Sequence, residues 1–208
     1  MKNIIFIGGG EIGKGETEEI DSRIKTLAPK GSSFVFFATA ASDAEGYIEK
    51  IKSVYGDHFN VVSATTEKGQ LFSEDAIKNA SVIYIGGGLT KLLLEHFEEW
   101  NLVPLLTDAI SRGVVVVGMS AGAQALSHCY IHEEADSMEV MKGWGLTGVN
   151  ACVLVHATEE SFKKARSVYD ENKLICGLYG IGESAALFSE DNNQQPFELG
   201  SGNVFKNT

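Results

Sequence analysis

Two residues far apart in this chain have the types and settings to break an acyl bond together: a serine in a glycine-flanked turn and a histidine ending an apolar run. The serine is Ser120, within Gly118-Met119-Ser120-Ala121-Gly122. Gly-x-Ser-x-Gly spacing puts a nucleophile on a sharp strand-to-helix turn, lifts its hydroxyl clear of the sheet and aims the following amide at a developing oxyanion. Val114-Val115-Val116-Val117 before it reads as a buried strand, and the small residues after it read as a helix start. A tight turn with an incidental serine shows the same spacing. The strand–turn–helix context makes Ser120 the candidate nucleophile.

Such a serine needs a base, and the chain has five histidines. His58, beside Asp57, and His96, among Glu95, Glu98 and Glu99, read as solvated. His128 and His132 are four apart, but Cys129 stands where a zinc-binding helix of that spacing carries glutamate, so no metal is expected. His156 closes the apolar run Ala151-Cys152-Val153-Leu154-Val155 and precedes a helical segment, which places it at a strand tip like Ser120. A carboxylate must then orient the imidazole and stabilise its charged form. Glu183, in Gly180-Ile181-Gly182-Glu183-Ser184-Ala185, and Asp136, in a polar loop ahead of His156, both qualify, with Glu159 a weaker third. Position at a strand boundary favours Glu183.

Two glycine clusters bear on the chemistry. Gly86-Gly87-Gly88 ends a strand before a helix, where unobstructed amides can point at an oxyanion. The amide of Gly88 (or Gly87) pairs with that of Ala121 in this reading, and Gly87 also lines the substrate site. Gly8-Gly9-Gly10-Glu11-Ile12-Gly13 satisfies the dinucleotide spacing Gly-x-Gly-x-x-Gly and nearly satisfies a P-loop. Against both stand Gly15, where Ser or Thr would hold magnesium, and the strand ending Ala38-Thr39-Ala40-Ala41, which lacks the acidic ribose ligand. Glu11, Glu16, Glu18 and Glu19 would also repel phosphates. A nucleotide-binding or non-catalytic small-molecule-binding protein is the alternative to a hydrolase.

The elements that must hold these residues alternate along the chain. Strand-like runs at 4–7, 34–38, 60–63, 82–85 and 114–118 are separated by helical spacing at 16–27, 43–54, 74–79, 90–98 and 103–112. This predicts an α/β fold with a doubly wound, mainly parallel sheet, whose strand tips line the binding edge. After a helix near 159–169, short strands at 174–177, 184–188, 197–199 and 203–205 predict a C-terminal antiparallel meander at a sheet edge. No linker or repeat interrupts 1–208, so a single domain is expected.

With 208 residues, 44% hydrophobic and 22% charged, the composition is that of a globular protein. The net charge of −11 argues against nucleic acid and anionic membranes as partners. The apolar start is too short for a signal peptide and no run is long enough to span a bilayer. Three scattered cysteines fit a reducing cytoplasm.

These residues together resemble the peptidase E and cyanophycinase family of serine peptidases, over essentially the whole chain. The likeness is carried by Gly8-Gly9-Gly10, Ile85-Gly86-Gly87-Gly88-Leu89-Thr90-Lys91-Leu92-Leu93, Gly118-Met119-Ser120-Ala121-Gly122-Ala123 and Gly180-Ile181-Gly182-Glu183. The resemblance implies a flavodoxin-like fold of the class I glutamine amidotransferase type, with serine for cysteine. It implies peptide hydrolysis through an acyl-enzyme without metal or cofactor, Ser120 as nucleophile and His156 as its histidine. Cyanophycinase-like members point to Glu183 as the acid, and the peptidase E pattern to Asp136. Aspartyl substrates are implied too, an Asp-Xaa dipeptide above all. Gln124 after the elbow and the cations Lys163, Lys164 and Arg166 are the substrate-binding candidates, Arg166 foremost. A homodimer is carried as an expectation.

Overall fold

The structure is a computed structural model that describes residues 3–134, 137–146, 150–190 and 196–207. In chain order the first half comprises β1 (Asn3–Ile7), α1 (Glu18–Thr26), β2 (Ser33–Phe37), α2 (Glu45–Tyr55), β3 (Asn60–Ala64), α3 (Gly69–Asn79), β4 (Val82–Ile85) and α4 (Thr90–Glu99). There follow α5 (Val103–Ser111), β5 (Val115–Met119), α6 (Ala121–Leu126), β6 (Cys129–Glu134), β7 (Ser137–Lys142), β8 (Ala151–Val155) and α7 (Glu159–Glu171). The last strands are β9 (Gly177–Ile181), β10 (Ala185–Glu190), β11 (Phe197–Gly200) and β12 (Val204–Lys206).

These strands form two sheets. The larger has the order β11-β10-β1-β5-β4-β2-β3. Its β1, β5, β4, β2 and β3 are parallel, and β10 and β11 are antiparallel at one edge. Parallel strands joined by helices are covered on both faces, and the inner strands β1, β5, β4 and β2 are accordingly almost continuously apolar, whereas the edge strand β3 is part-exposed. Alternate side chains of β1 show the division. Ile4 and Phe6 enter a core with Ile77 of α3, Phe97 of α4, Leu106 of α5 and Ala123 of α6. Ile5 and Ile7 enter the opposite core with Ile20 and Ile24 of α1 and Ile51 and Tyr55 of α2.

The smaller sheet has the order β12-β9-β8-β6-β7, with β6, β8 and β9 parallel and β7 and β12 antiparallel at its edges. One face, through Tyr130, Val153 and Ile181, joins the same core as α6 and β1. The other packs Ile131, Leu154 and Leu178 under Ala165 and Tyr169 of α7.

The C-terminal strands are antiparallel at their edges, but they divide between the sheets: β10 and β11 extend the large one, while β12 pairs β9 in the small one. The strand expected at 174–177 is instead β9, beginning at Gly177. The hairpin β6–β7 occupies most of what reads in sequence as a polar loop. Its β7 alternates over only four residues, with Met138 and Val140 packed toward the core under α7 and Ser137 and Glu139 exposed, a run short and polar enough to read as loop. Among the described residues no helix is long and apolar enough to cross a membrane.

Candidate active site

The nucleophile turn follows from close packing. A Cβ on Gly118 would lie 2.5 Å from the Gly122 carbonyl, and one on Gly122 would lie 2.2 Å from the Ile85 oxygen. Only glycine at both positions lets α6 start directly against β5 and β4. Between them Ser120 has φ 50° and ψ −109°, a left-handed conformation that costs about 1–3 kcal/mol for a non-glycine residue. The turn is held by the Ser120 amide, which donates to Ile7 O at 2.9 Å, and by Gln124 N–H, which donates to Ser120 O at 3.0 Å.

The histidine arrives from the other sheet. His156 follows β8 with φ 53°, and its amide donates to Gly8 O at 3.2 Å. Two residues on, Thr158 and Ser161 form a capping box that starts α7 and ends the loop. His156 Nε2 lies 2.8 Å from Ser120 Oγ. Its Nδ1 lies 2.5 Å from Glu183 Oε1. Glu183 sits in the turn from β9 to β10, where Ser184 (φ 57°) donates its amide to Gly9 O at 3.1 Å. The carboxylate fixes the tautomer: Nδ1–H donates to Glu183, leaving Nε2 free to accept the serine proton. Asp136 lies outside the described residues. Glu159 is on α7, where it pairs with Lys163 at 2.7 Å.

The first glycine cluster has a different use from phosphate binding. A Cβ on Gly9 would meet Glu183 Oε2 at 2.3 Å and His156 Nδ1 at 2.5 Å. One on Gly8 would meet Ile181 O at 2.2 Å. Gly8 and Gly9 thus form the seam along which the two sheets bring base and acid together.

The second cluster flanks the nucleophile. A Cβ on Gly87 would approach Ser120 Cβ to 3.2 Å, and Gly88 has φ +137° with Ala40 O where its Cβ would be. Gly87 N–H donates to the hydroxyl of Tyr47 at 3.3 Å. Among the described residues, neither the Gly88 nor the Ala121 amide meets an acceptor. Tyr47 also touches Met119 Sδ at 3.4 Å, and burial pushes its phenol up to about 12, so it stays protonated.

Serine, histidine and glutamate open onto a cleft of about 640 Å³ that also exposes Glu11, Glu16 and Lys50. None of these three stood out in the sequence as a site residue, because charged residues in a turn or on a helix look like solvated surface. Gln124 and Arg166 are corrections to the expected substrate site. Gln124 is buried under α4, accepting from Thr90 Oγ1 at 2.5 Å and donating to Ile131 O at 3.4 Å. Arg166 lies exposed on α7 and does not line the cleft. Lys163 and Lys164 are paired with Glu159 and Glu160 on the same helix.

Comparison with known proteins adds a family to this geometry. The model of Peptidase family S51 matches residues 4–196. The chain belongs to that family. It is a serine-type peptidase. YgaJ, an uncharacterized peptidase of Bacillus subtilis strain 168, is 30% identical over 90% of this chain and 83% of its own length. Peptidase E of a Nostoc strain is 27% identical over 63% of this chain, which spans only 50% of that relative. A crystal structure of a peptidase from an acI-B1 Actinobacterium superposes with a TM-score of 0.67 at 21% identity, covering 98% of this chain and 89% of the other. At that identity the likeness speaks to the fold, which is of the flavodoxin-like type.

Proposed function

We propose that this S51 peptidase hydrolyses small peptides through an acyl-enzyme on Ser120, and that an Asp-Xaa dipeptide is its substrate class. The observation carrying the mechanism is the continuous chain Ser120 Oγ–His156 Nε2–His156 Nδ1–Glu183 at the floor of an open cleft. Ser120 Oγ attacks the carbonyl while His156 Nε2 takes its proton. The tetrahedral oxygen accepts from the Gly88 and Ala121 amides, which require no reorganisation to receive it. His156 then passes the proton to the leaving amine, and water reverses the sequence to free the acid. Glu183, hydrogen-bonded at Nδ1, stabilises the imidazolium throughout. No step calls for a metal or cofactor. Three free buried cysteines favour a reducing cytoplasm as the setting.

The test is a panel of dipeptides differing in their first residue, assayed with wild type and Ser120→Ala. Wild type should turn over Asp-Xaa, and Ser120→Ala should lose about 10⁶-fold in kcat, as when a serine nucleophile is removed elsewhere. Activity retained in Ser120→Ala would overturn the mechanism. Turnover of other dipeptides but not Asp-Xaa would overturn the substrate class alone.

A further inference from the structure

The cleft that Ser120 lines also carries opposite charges, and contacts around them hold their placement. Lys50 projects from α2 with its stem across Gly13, where a Cβ would come within 3.1 Å of Lys50 Cδ. Its ammonium lies 3.6 Å from Glu11 Oε2. Glu16 Oε2 accepts the Glu11 amide at 2.8 Å, which fixes that carboxylate on the same wall. Among the described residues Glu16 forms no ion pair. The wall is anchored behind the cleft: Thr17 donates to Asp21 at 2.9 Å, and Asp21 accepts from Tyr55 at 2.6 Å, on the helix that carries Lys50.

Resting on the peptidase reading above, we infer that Lys50 and Glu16 form a charge-paired subsite that reads the first residue of the substrate. Lys50 takes the side-chain carboxylate of an N-terminal aspartate, and Glu16 takes its α-ammonium. The chemistry of that residue supports the pairing. An N-terminal aspartate carries a cation and an anion on adjacent carbons, and its own carbonyl is the one attacked. Groups that read it must therefore lie in the same cleft as Ser120, as Lys50 and Glu16 do. The cations after His156 fail this condition, because they do not line the cleft and two are tied to glutamates of their own helix. Glu11 holds Lys50 in place without consuming it, since a half-exposed ion pair of this length is weak. A peptide carboxylate entering the cleft excludes water and competes on better terms.

The experiment compares kcat/KM for Asp-Leu, Asn-Leu and N-acetyl-Asp-Leu in wild type, Lys50→Met and Glu16→Gln. Ratios are read, so any general loss in a variant cancels. Losing one charge-assisted contact is worth about tenfold to 100-fold. Lys50→Met should reduce the Asp-Leu over Asn-Leu preference by that factor and leave the free over acetylated preference standing. Glu16→Gln should do the reverse. An Asp over Asn ratio unchanged in Lys50→Met, or a free over acetylated ratio unchanged in Glu16→Gln, would overturn the subsite. A wild-type protein that cleaves none of the three contradicts the substrate reading itself, before any variant is compared.

Discussion

The two sheets contribute differently to the site. The large sheet supplies the proposed nucleophile and both candidate oxyanion amides from strands buried along their length, with β5 and β4 fully covered on both faces. The small sheet supplies the histidine at the end of β8 and leads through β9 to the glutamate, yet its β7 edge is exposed over most of its length. Neither sheet holds a working constellation alone. In the proposed mechanism attack geometry is set by one close-packed turn, whereas proton transfer depends on how the sheets meet along Gly8 and Gly9. Nucleophile position and base activation are separable properties here, and variants can strike one without the other.

The sharpest way to break that separation is at the seam. Gly9→Ala places a methyl where Glu183 and His156 now meet, and displacing a catalytic group by about 1 Å can cost about 100-fold. We expect a loss of at least that size in kcat, with circular dichroism unchanged, because the strands themselves need no side-chain space there. Activity within twofold of wild type would show that the seam tolerates the shift and does not set base geometry.

A smaller effect should come from the large-sheet side. Tyr47→Phe keeps the ring against Gly86 but removes the acceptor of the Gly87 amide. A hydrogen bond of about 1 kcal/mol that orients the Gly86-Gly87-Gly88 turn corresponds to a fall in kcat of about fivefold to tenfold, with KM near its wild-type value. Unchanged kcat would remove Tyr47 as a positioning residue.

The smallest effect concerns stability of the α1–α2 layer, remote from the seam. Asp21 is buried with Tyr55 and Thr17, and burial raises its carboxyl above the usual range. A raised acid contributes stability below its ordinary value near 3.8 and loses it as pH rises through the folded value. Asp21→Asn has no such loss, so its Tm relative to wild type should climb between pH 4 and pH 8. A Tm difference that shrinks over that interval would reverse the sign of the argument.

Local features made much of this site legible in sequence. The elbow announces itself because four valines, a glycine-spaced serine and a run of small residues are contiguous. His156 could be read because a polar residue ends an apolar strand, and Glu183 because glycines and small residues surround it. What escaped depends on contacts between distant segments. Gly9 meets Glu183 from far along the chain, so its glycines show in sequence only the spacing of a nucleotide loop, a reading that the residues around them weaken. Tyr47 lies on the apolar stripe of α2 and Lys50 lies off it, which is how packing and surface residues look everywhere. Gln124 was misplaced because a polar residue after the elbow can turn inward, as it does here toward Thr90. The scattered cysteines converge too, with Cys129 and Cys176 sulfurs 3.7 Å apart beneath α7.

The most direct test of the central claim is the rate at which a fluorophosphonate labels Ser120, mapped by peptide mass spectrometry, in wild type, His156→Ala and Glu183→Gln. An adduct is expected on Ser120 in wild type, none over the same interval in His156→Ala, and labelling slowed by orders of magnitude in Glu183→Gln, since an amide at Nδ1 favours the wrong tautomer. Equal labelling in all three proteins would contradict that claim, because the serine would then react without the histidine and glutamate that the small sheet brings to it.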